Sequence, residues 1–368
     1  MRTEVTDMKI AFIGFGGVGQ ALVQMIGDTK NTLLEEVGME IDIVAVSDMM
    51  KGAVYDPNGL DGTLLLDTIA RHKDLMYYPD TAHTVKGMDS FETIKHSNAD
   101  MIVEVTYTDV VTGQPAIDHC RLAFENGKSV VTTNKGPVAM AYKELKALAE
   151  RNTLFWGFEG TVMSGTPALR LPFTTLTGNT ITEINGILNG TTNYMITEME
   201  RGLSYEEALK TAQARGYAEA DPTSDVAGYD ARYKAVILAN VILKHHITAE
   251  EVECTGIEDI TASMVKEAVS NDKRWRLIAT LKRHETGVKA SVGPKLLDKD
   301  HPLATITGAT NAIVYNCDLA GPIMLTGAGA GLTETAYSLL IDLINGYKSV
   351  YHQASQKVVH EHADTSTD

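Results

Sequence analysis

The sequence has little of what several classes of protein require. It has three cysteines, Cys120, Cys254 and Cys317, which lie far apart and form no Cys-x-x-Cys pair. We therefore expect reduced thiols in a cytoplasmic protein, not a disulfide scaffold. No apolar run approaches the ~20 residues that cross a membrane, so no membrane partner is expected. The N-terminus Met-Arg-Thr-Glu-Val-Thr-Asp carries acids and leads directly into a predicted strand, so no secretory signal is expected either.

Clustered basic residues are also missing. The chain has 32 Lys and Arg against 48 Asp and Glu, with a formal net charge of −16 and no basic run, which argues against nucleic acid as a partner. The adjacent His245 and His246, and His360 with His362, lack cysteine or acid partners at ligand spacing, so no zinc site is predicted. A hydrophobic content of 44% is typical of a globular protein. The length of 368 residues favours two domains.

A glycine-rich motif near the N-terminus predicts a dinucleotide-binding domain. An apolar strand at 9–13 leads into Gly-Phe-Gly-Gly-Val-Gly at 14–19, and an amphipathic helix follows. This is the pattern Gly-x-Gly-x-x-Gly in its required context, although a glycine-rich turn without a ligand is the plain alternative. The predicted cofactor-binding residues of the turn are Gly14, Gly16, Gly17, Val18 and Gly19.

The next strand, at 41–46, leads to an acid that bears on the choice of cofactor. Asp48 would accept hydrogen bonds from the ribose hydroxyls of NAD. Lys51, three residues on, could instead meet the 2′-phosphate of NADP, so the sequence leaves both cofactors open. The long gap between the glycine motif and Asp48 predicts a long first helix or loop.

Strands at 101–105 and 129–132 alternate with helices around 115–126 and 142–151, which predicts a doubly wound parallel sheet. In such sheets ligands bind beyond the carboxyl ends of the strands. Thr106 follows the first of these strands, and Lys135 follows the second. Both are therefore predicted to face the cofactor, with a solvated loop lysine as the alternative for Lys135.

The second half of the chain predicts another sheet, with strands at 182–188 and 287–292, a helix at 205–213 and a long helix beginning near Asp225. The segment Asn-Gly-Thr-Thr-Asn at 189–193 could hold a carboxylate or form an ordinary turn. The glycines at 327–331 precede a predicted helix at 333–343. They suggest close approach to a ligand, with Gly329 as a cofactor-binding candidate, or a flexible loop.

Ionisable residues are concentrated in the segment 215–234. Asp230 and Lys234 are four apart, so they share one face of a helix. The apolar run that follows predicts a buried helix. A lysine near the N-terminal end of such a helix, beside acids, is suited to transferring a proton. The plain alternative is that Asp230 and Lys234 form a surface salt bridge. The acids of the segment are Glu219, Asp221, Asp225 and Asp230.

With these motifs in order, the chain resembles the homoserine dehydrogenase family. The matching blocks cover most of residues 8–345. They are the glycine turn at 14–19, Thr-Thr-Asn-Lys-Gly-Pro at 132–137, Glu-Gly-Thr-Val-Met-Ser-Gly-Thr-Pro at 159–167, Gly-Ile-Leu-Asn-Gly-Thr-Thr-Asn-Tyr-Met at 186–195, Ala-Glu-Ala-Asp-Pro-Thr-Ser-Asp-Val-Ala-Gly-Tyr-Asp-Ala at 218–231, and Thr-Gly-Ile-Glu-Asp-Ile at 255–260.

The resemblance implies interconversion of L-aspartate 4-semialdehyde and L-homoserine with NADP or NAD, on the route to threonine and methionine. It implies that Lys234 is the acid/base residue and that Lys135 is a second active-site lysine. We expect Asp221 and Asp225 to shape and cap the turn into the helix. We expect Asp230 to pair with the substrate ammonium or with a water-bridged network, and to leave Lys234 partly free. The implied substrate-binding residues are Glu219, Asp230, Tyr217, Gly190 and Thr191. The backbone carbonyls implied for a monovalent cation, Na⁺ or K⁺, are those of Glu159, Val162, Ser164 and Thr166.

The family fold implies an α/β protein with a Rossmann-type doubly wound nucleotide domain and a catalytic and dimerisation domain with a second, mixed β-sheet. We expect the nucleotide domain at 1–156, completed by a C-terminal helix at about 325–352, the second domain at 157–324, and a polar tail at 353–368. A homodimer or a dimer of dimers is expected. The chain ends too soon for the regulatory domain or fused kinase of many members.

Two other functions remain open on the sequence. One is a dehydrogenase of another small amino-acid aldehyde or hydroxy acid, since Tyr229 and Arg232 stand where family members more often have smaller or aliphatic residues. The other is a non-catalytic dinucleotide sensor, against which the retained lysines and acids argue.

Overall fold

The computed structural model describes residues 6–109 and 111–364, with side chains at 7–109 and 111–349. The chain divides into two compact units. The first comprises Met1–Gly160 and Thr335–Asp368, and the second comprises Thr161–Glu334. The first five residues, for which the sequence predicts no secretory signal, lie outside the described part.

The first unit is built on a seven-stranded sheet in the order β4-β3-β2-β1-β5-β6-β7. Strands β2, β1, β5, β6 and β7 run parallel, whereas β3 and β4 add an antiparallel edge. The predicted doubly wound sheet is confirmed. The strands are β1 (Thr6–Ile13), β2 (Met39–Asp48), β3 (Gly52–Tyr55), β4 (Val85–Lys86), β5 (Met101–Glu104), β6 (Ser129–Thr132) and β7 (Trp156–Gly157).

Helices lie between the strands of this unit along the chain. They are α1 (Gly17–Val37), α2 (Gly62–His72), α3 (Ser90–His96), α4 (Ala116–Glu125), α5 (Lys135–Met140) and α6 (Tyr142–Arg151). The predicted long first helix is confirmed, since α1 has 21 residues. The chain passes from β1 to β2 on one side and later returns to β5 on the other. The carboxyl ends of β1 and β5 therefore flank the switch point at which ligands bind in such sheets.

The second unit is built on a six-stranded sheet in the order β13-β12-β8-β10-β11-β9. Its neighbouring strands are antiparallel except β9, which is parallel to β11. The predicted second, mixed sheet is therefore confirmed. Its strands are β8 (Ile181–Ile187), β9 (Glu253–Cys254), β10 (Lys273–His284), β11 (Gly287–Asp298), β12 (Thr310–Cys317) and β13 (Gly321–Ala328).

Helices pack beside this sheet. They are α7 (Gly160–Met163), α8 (Arg170–Thr175), α9 (Gly190–Glu200), α10 (Tyr205–Ala214), α11 (Thr223–Val226), α12 (Tyr229–Val241) and α13 (Ala262–Ser270). Single 3₁₀ turns occur at Leu75–Tyr77, Ala249–Glu251 and Pro302–Thr305. Ser204 caps α10 in a capping box with Glu207, as the sequence predicts.

The helix predicted to begin near Asp225 is interrupted. Asp225 lies in the short α11, and Gly228, in the left-handed region at φ 82°, separates it from α12. Glycine adopts this conformation without the steric penalty of a Cβ. The prediction that the following apolar run is a buried helix is confirmed, because α12 is buried from Tyr233 to Val241.

The last helix, α14 (Leu332–Asp364), returns to the first unit. Its apolar side chains recur at three- and four-residue spacing and join the core of that unit. These core residues are Ala336, Leu339, Leu340, Leu343 and Tyr347. The predicted bounds of 325–352 are wrong, because residues 325–328 belong to β13 and the helical backbone continues to Asp364. The predicted polar tail is therefore helical from 353 to 364, and residues 365–368 lie outside the described part.

Candidate functional site

The glycine turn of the first unit leaves open space where a pyrophosphate would approach. Gly14 has φ 89°, and a Cβ there would lie 2.7 Å from the carbonyl oxygen of Val105. A Cβ on Gly16 would meet no atom within 4 Å, whereas one on Gly19 would lie 3.4 Å from the Phe15 ring. The three glycines thus make the tight turn, leave the approach clear and allow close packing of α1, which fits a dinucleotide.

Asp48, at the end of β2, is held against this turn. Its carboxylate accepts hydrogen bonds from the N–H groups of Phe15 at 2.7 Å, Met50 at 2.9 Å and Lys51 at 3.0 Å. Burial opposes ionisation of Asp48, but the Phe15 and Met50 N–H donors, with the charge of Lys51, outweigh it and lower the pKa. Asp48 therefore places a negative charge beside the glycine turn.

A buried carboxylate that the sequence analysis missed joins the ends of β5 and β6. Glu104 accepts a hydrogen bond from the Thr106 hydroxyl and another from the Thr132 hydroxyl at 3.1 Å. It also faces Nδ1 of the buried His119 at 3.4 Å. A single acid in an otherwise apolar strand is the signal that could have found it, since buried carboxylates require partners.

Thr106 and Lys135, which the sequence predicts to face the cofactor, lie near this network. The carbonyl of Thr106 accepts a hydrogen bond from Nδ2 of Asn134 at 3.4 Å. Asn134 caps α5, whose first residue is the half-buried Lys135. The structure thus brings Thr106 and the start of α5 together at the carboxyl edge of the sheet.

In the second unit, Lys234 and Asp230 form a largely buried ion pair. The Lys234 ammonium lies 2.8 Å from the Asp230 carboxylate and donates to the carbonyl oxygen of Leu188 at 2.6 Å. Lys234 is 6% exposed, so the alternative of a surface salt bridge is wrong. The partner of Asp230 also differs from the expectation. Its carboxylate is paired with the Lys234 ammonium, so Lys234 is not left partly free.

Asn189 links this ion pair to a further acid. Its Nδ2 donates to Asp225 at 2.7 Å and to Asp230 at 3.1 Å. Its Oδ1 accepts from the N–H of Thr192 at 2.9 Å and caps α9. We call Asp225, Asp230 and Lys234 the acid–lysine cluster.

The roles expected of Asp221 and Asp225 separate in the structure. Asp221 shapes the turn as predicted, because it accepts the N–H of Thr223 at 3.0 Å. Asp225 does not cap the turn into α12, since its carboxylate is bound to Asn189. Burial, reinforced by the negative charge of Asp230, raises the pKa of Asp225, although the hydrogen bond from Asn189 opposes the shift.

Three of the predicted substrate-binding residues lie together beside α9. Gly190 and Thr191 form its first turn, and the Thr191 hydroxyl donates to the carbonyl of Tyr217 at 2.5 Å. The Tyr217 side chain is 43% exposed. Glu219 is exposed, and within the described residues its carboxylate has no hydrogen-bond or ion-pair partner, so the structure does not bring it into the acid–lysine cluster.

Packing within the second unit accounts for two of the glycines at 327–331. The position of a Cβ on Gly327 is occupied by the Thr166 side chain, and that on Gly329 by the Asn311 carboxamide. Gly327 belongs to β13, so the segment is partly strand and not wholly a loop. The cofactor role of Gly329 stays a prediction.

The carbonyls predicted to bind a monovalent cation lie around α7. Val162 is in this helix, Ser164 follows it with φ 51°, and the Thr166 carbonyl accepts the N–H of Ala168 at 2.7 Å. Glu159 belongs to the first unit, where its N–H donates to Asp342 at 2.9 Å. No group of three His, Cys, Asp or Glu side chains suited to a metal occurs in the described residues.

Among the helices that the structure describes, none is long and apolar enough to cross a lipid bilayer.

Comparison with known proteins identifies the family. A homoserine dehydrogenase family model matches residues 167–344, and a model of the homoserine dehydrogenase NAD binding domain matches residues 14–159. An NAD(+)-dependent homoserine dehydrogenase of Pseudomonas canavaninivorans is 44% identical over 97% of this chain and 99% of its own length. The chain belongs to the homoserine dehydrogenase family. The homoserine dehydrogenase of Methanocaldococcus jannaschii is 38% identical over 93% of this chain and 99% of its own.

Solved structures of homoserine dehydrogenases share the fold. One from Thiobacillus denitrificans superimposes with a TM-score of 0.80 at 29% identity, over 95% of this chain and 75% of its own. A hyperthermophilic archaeal homoserine dehydrogenase in complex with NADPH superimposes with a TM-score of 0.79 at 29% identity, over 93% of this chain and 98% of its own. The resemblance inferred from the motifs is confirmed, and the homoserine dehydrogenase family assignment makes the chain an NAD(P)-dependent oxidoreductase. This decides against the alternative of a non-catalytic sensor.

Proposed function

We propose that the acid–lysine cluster performs the proton transfer as this enzyme interconverts L-homoserine and L-aspartate 4-semialdehyde. The observation that carries the proposal is the buried Lys234 ammonium, fixed at 2.8 Å from Asp230 and 2.6 Å from the Leu188 carbonyl. An ammonium has three donors. Two are used in these contacts, and the third can donate to the substrate oxygen.

A nicotinamide cofactor, when bound, would supply or accept the hydride at the substrate carbon. When the aldehyde is reduced, its oxygen gains negative charge, and Lys234 stabilises that charge and donates the proton. When homoserine is oxidised, its hydroxyl must lose a proton, and the neutral amine of Lys234 accepts that proton. The contacts with Asp230 and Leu188 fix the nitrogen in one place, which favours transfer along a single direction.

The substrate is an amino acid, and we propose that its two charged groups are held in the second unit. The acids Asp225 and Asp230 suit the ammonium, and the first N–H groups of α9, on Gly190 and Thr191, suit the carboxylate. Tyr217, bound to Thr191 through its carbonyl, would border the same place. Glu219 would have to turn from its exposed position to take part.

We propose that the first unit binds NAD in preference to NADP. The Asp48 carboxylate carries a negative charge beside the glycine turn and can accept hydrogen bonds from ribose hydroxyls. A 2′-phosphate there would meet like charge. Lys51 lies 3.5 Å from Asp48, so its charge is already paired. The Pseudomonas canavaninivorans relative is named NAD(+)-dependent, which supports this preference.

Several finer proposals accompany this function. Thr106 and Lys135, at the carboxyl edge of the first sheet, would face the cofactor, with Lys135 as the second active-site lysine.

The carbonyls of Val162, Ser164 and Thr166 provide oxygen donors, which are the ligands that a monovalent cation requires. The unpaired state of the three cysteines supports a cytoplasmic location. We also propose a homodimer or a dimer of dimers.

The test is an assay of the purified chain with L-homoserine and either NAD or NADP, and in reverse with L-aspartate 4-semialdehyde. L-Serine, L-threonine and 4-hydroxybutyrate serve as competing substrates. We expect the highest kcat/KM for homoserine with NAD. A higher kcat/KM for another hydroxy compound would overturn the substrate assignment, and a preference for NADP would overturn the role of Asp48. Repeating the assay in Na⁺, K⁺ and tetramethylammonium salts tests the cation.

A further inference from the structure

A closed ring of hydrogen bonds joins the ends of β5 and β6. Glu104, the last residue of β5, is 0% exposed, and its carboxylate accepts from the Thr106 hydroxyl and, at 3.1 Å, from the Thr132 hydroxyl. The Thr132 oxygen in turn accepts the N–H of Asn134 at 2.9 Å. Nδ2 of Asn134 donates to the Thr106 carbonyl at 3.4 Å, which closes the ring. We call Glu104, Thr106, Thr132 and Asn134 the edge ring.

Two further groups fix the Glu104 carboxylate. Nδ1 of the buried His119, on α4, lies 3.4 Å from Oε1, and Nε2 of the same imidazole lies 2.9 Å from the Ser90 hydroxyl. The N–H of Thr106 also donates to Oε1, at 3.3 Å. A carboxylate away from water requires such partners, because an unpaired one is costly to bury. Since these contacts meet at one group, a change at Glu104 disturbs the ends of both strands.

The edge ring lies next to the glycine turn. The N–H of Val105 donates to the carbonyl of Ile13 at 2.8 Å, and a Cβ on Gly14 would stand 2.9 Å from the Thr106 nitrogen. In the strand order β2-β1-β5-β6, Asp48 ends β2 and the glycine turn follows β1. With the adenosine at Asp48 and the pyrophosphate at the glycine turn, the other half of NAD extends over the ends of β5 and β6. The edge ring is at these two ends.

The edge ring also determines where α5 begins. Asn134 is the N-cap of this helix, and its Oδ1 accepts the N–H of Gly136 at 3.1 Å. Lys135 lies between these two residues and is the first residue of the helix. The first N–H groups of a helix have no acceptor within it, so the cap is what holds them. A displaced Asn134 would therefore displace the main chain of Lys135.

We propose that Glu104 is a positioning residue, which holds Thr106 and the start of α5 in the arrangement that receives the nicotinamide half of the cofactor. The inference rests on the proposed function. It adds a residue that acts through the edge ring and not by touching substrate or cofactor.

The hydrogen bonds of the edge ring, and not the charge of Glu104, carry this effect. A glutamine at position 104 has the same shape, and its Oε1 can accept from Thr106 as the carboxylate does. Its Nε2 can donate to the Thr132 oxygen, because the Thr132 hydroxyl can direct its hydrogen to the main-chain carbonyl of Glu104, 2.8 Å away. A leucine at this position supports neither contact.

The experiment compares two ligands of the purified chain by titration calorimetry, NADH and ADP-ribose, which lacks the nicotinamide ring. Thr132→Val removes one hydroxyl of the edge ring with little change of shape. We expect it to raise the Kd of NADH roughly five- to thirtyfold and to leave that of ADP-ribose within about twofold of wild type. With homoserine, kcat should fall roughly ten- to a hundredfold at an unchanged KM for homoserine, because the nicotinamide is less well oriented. An equal effect on the two ligands, or none on NADH, would overturn the proposal.

Two variants of Glu104 separate the hydrogen bonds from the packing. Glu104→Leu should weaken NADH as Thr132→Val does, whereas Glu104→Gln should retain most of the NADH affinity. If Glu104→Gln loses as much as Glu104→Leu, the edge ring is not the cause and the proposal fails. If Glu104→Leu does not fold, Thr132→Val and Glu104→Gln decide. Thr68→Val, at a buried threonine of α2, is the matched control and should leave both Kd values unchanged.

The outcome is separable from that of the proposed function. If the wild type does not oxidise homoserine, the proposed substrate fails, but NADH and ADP-ribose still test the edge ring because neither involves the substrate. If the wild type prefers NADP, NADPH and 2′-phospho-ADP-ribose take their place. If the wild type is active and Thr132→Val keeps its NADH affinity, only the role of Glu104 fails.

Discussion

The ammonium of Lys234 lies 2.8 Å from the carboxylate of Asp230, one turn earlier on the same helix, and the two side chains are 7% and 17% exposed. Exposed pairs at this spacing contribute little, because water and salt screen them. Here both groups are largely removed from water, so each is costly without the other. The ion pair therefore fixes the position of the Lys234 amine, the group that we propose transfers the proton.

Removal of the Lys234 amine should stop catalysis without preventing cofactor binding. For Lys234→Ala we expect kcat for homoserine oxidation to fall roughly a hundred- to ten-thousandfold, the usual contribution of a positioned acid or base. NAD affinity, measured by titration calorimetry, should be unchanged. Lys210→Ala, on the exposed part of α10, is the matched control and should retain kcat. Wild-type turnover in Lys234→Ala would remove the lysine from the mechanism.

The burial of Asp225 gives a pH-dependent effect on stability. Its folded pKa is raised by burial, so ionisation disfavours the folded state, and this cost appears as pH rises above the unfolded value of about 4. Asp225→Asn keeps an oxygen that accepts from Asn189 but cannot ionise. The melting temperature of this variant relative to wild type should therefore increase from pH 4 toward neutral. A difference that is constant across this range would contradict the shift.

Gly14 and Gly16 of the cofactor turn should respond differently to the same substitution. Gly14→Ala forces a side chain at φ 89° against the Val105 carbonyl and should cost about 1–3 kcal/mol of unfolding free energy. Gly16→Ala meets no atom of the protein and should change stability by less than about 0.5 kcal/mol. It should nevertheless weaken NAD binding, because the methyl group projects into the space left for the pyrophosphate. Calorimetric unfolding and NAD titration measure the two effects, and unchanged NAD affinity in Gly16→Ala would place the cofactor elsewhere.

The charge of Asp48 should decide between the two cofactors. Asp48→Asn retains an acceptor for the N–H of Phe15 but removes the negative charge. We expect the ratio of kcat/KM for NADP to that for NAD to rise about tenfold, as loss of one nearby charge repulsion allows. Asp28→Asn, on the exposed face of α1, is the control. If the ratio stays constant in Asp48→Asn, another residue sets the preference.

Much of the first unit could be predicted because its signals are local. The glycine turn requires strand before and helix after, and alternating strands and helices leave few topologies. The end of the chain was harder, because residues 325–328 pair with the preceding strand β12 in a hairpin, although the glycines from 327 onward suggest a turn before a helix. The extent of α14 depends on its apolar face packing in the first unit, which no local pattern reveals.

The sequence by itself determined the family, the nucleotide-binding fold and the placing of Asp230 and Lys234 on one face of a helix, because residues four apart are one turn from each other. Their direct ion pair was decided by the tertiary structure. Tertiary structure decided which other groups join them. The hydrogen bonds of Asn189 with Asp225 and Asp230 depend on segments that meet only after folding, and a lone asparagine has no periodicity that marks it. The same holds for Glu104, whose partners Thr132 and His119 come from separate elements. Burial then gives these polar groups their significance, because away from water each one needs a partner.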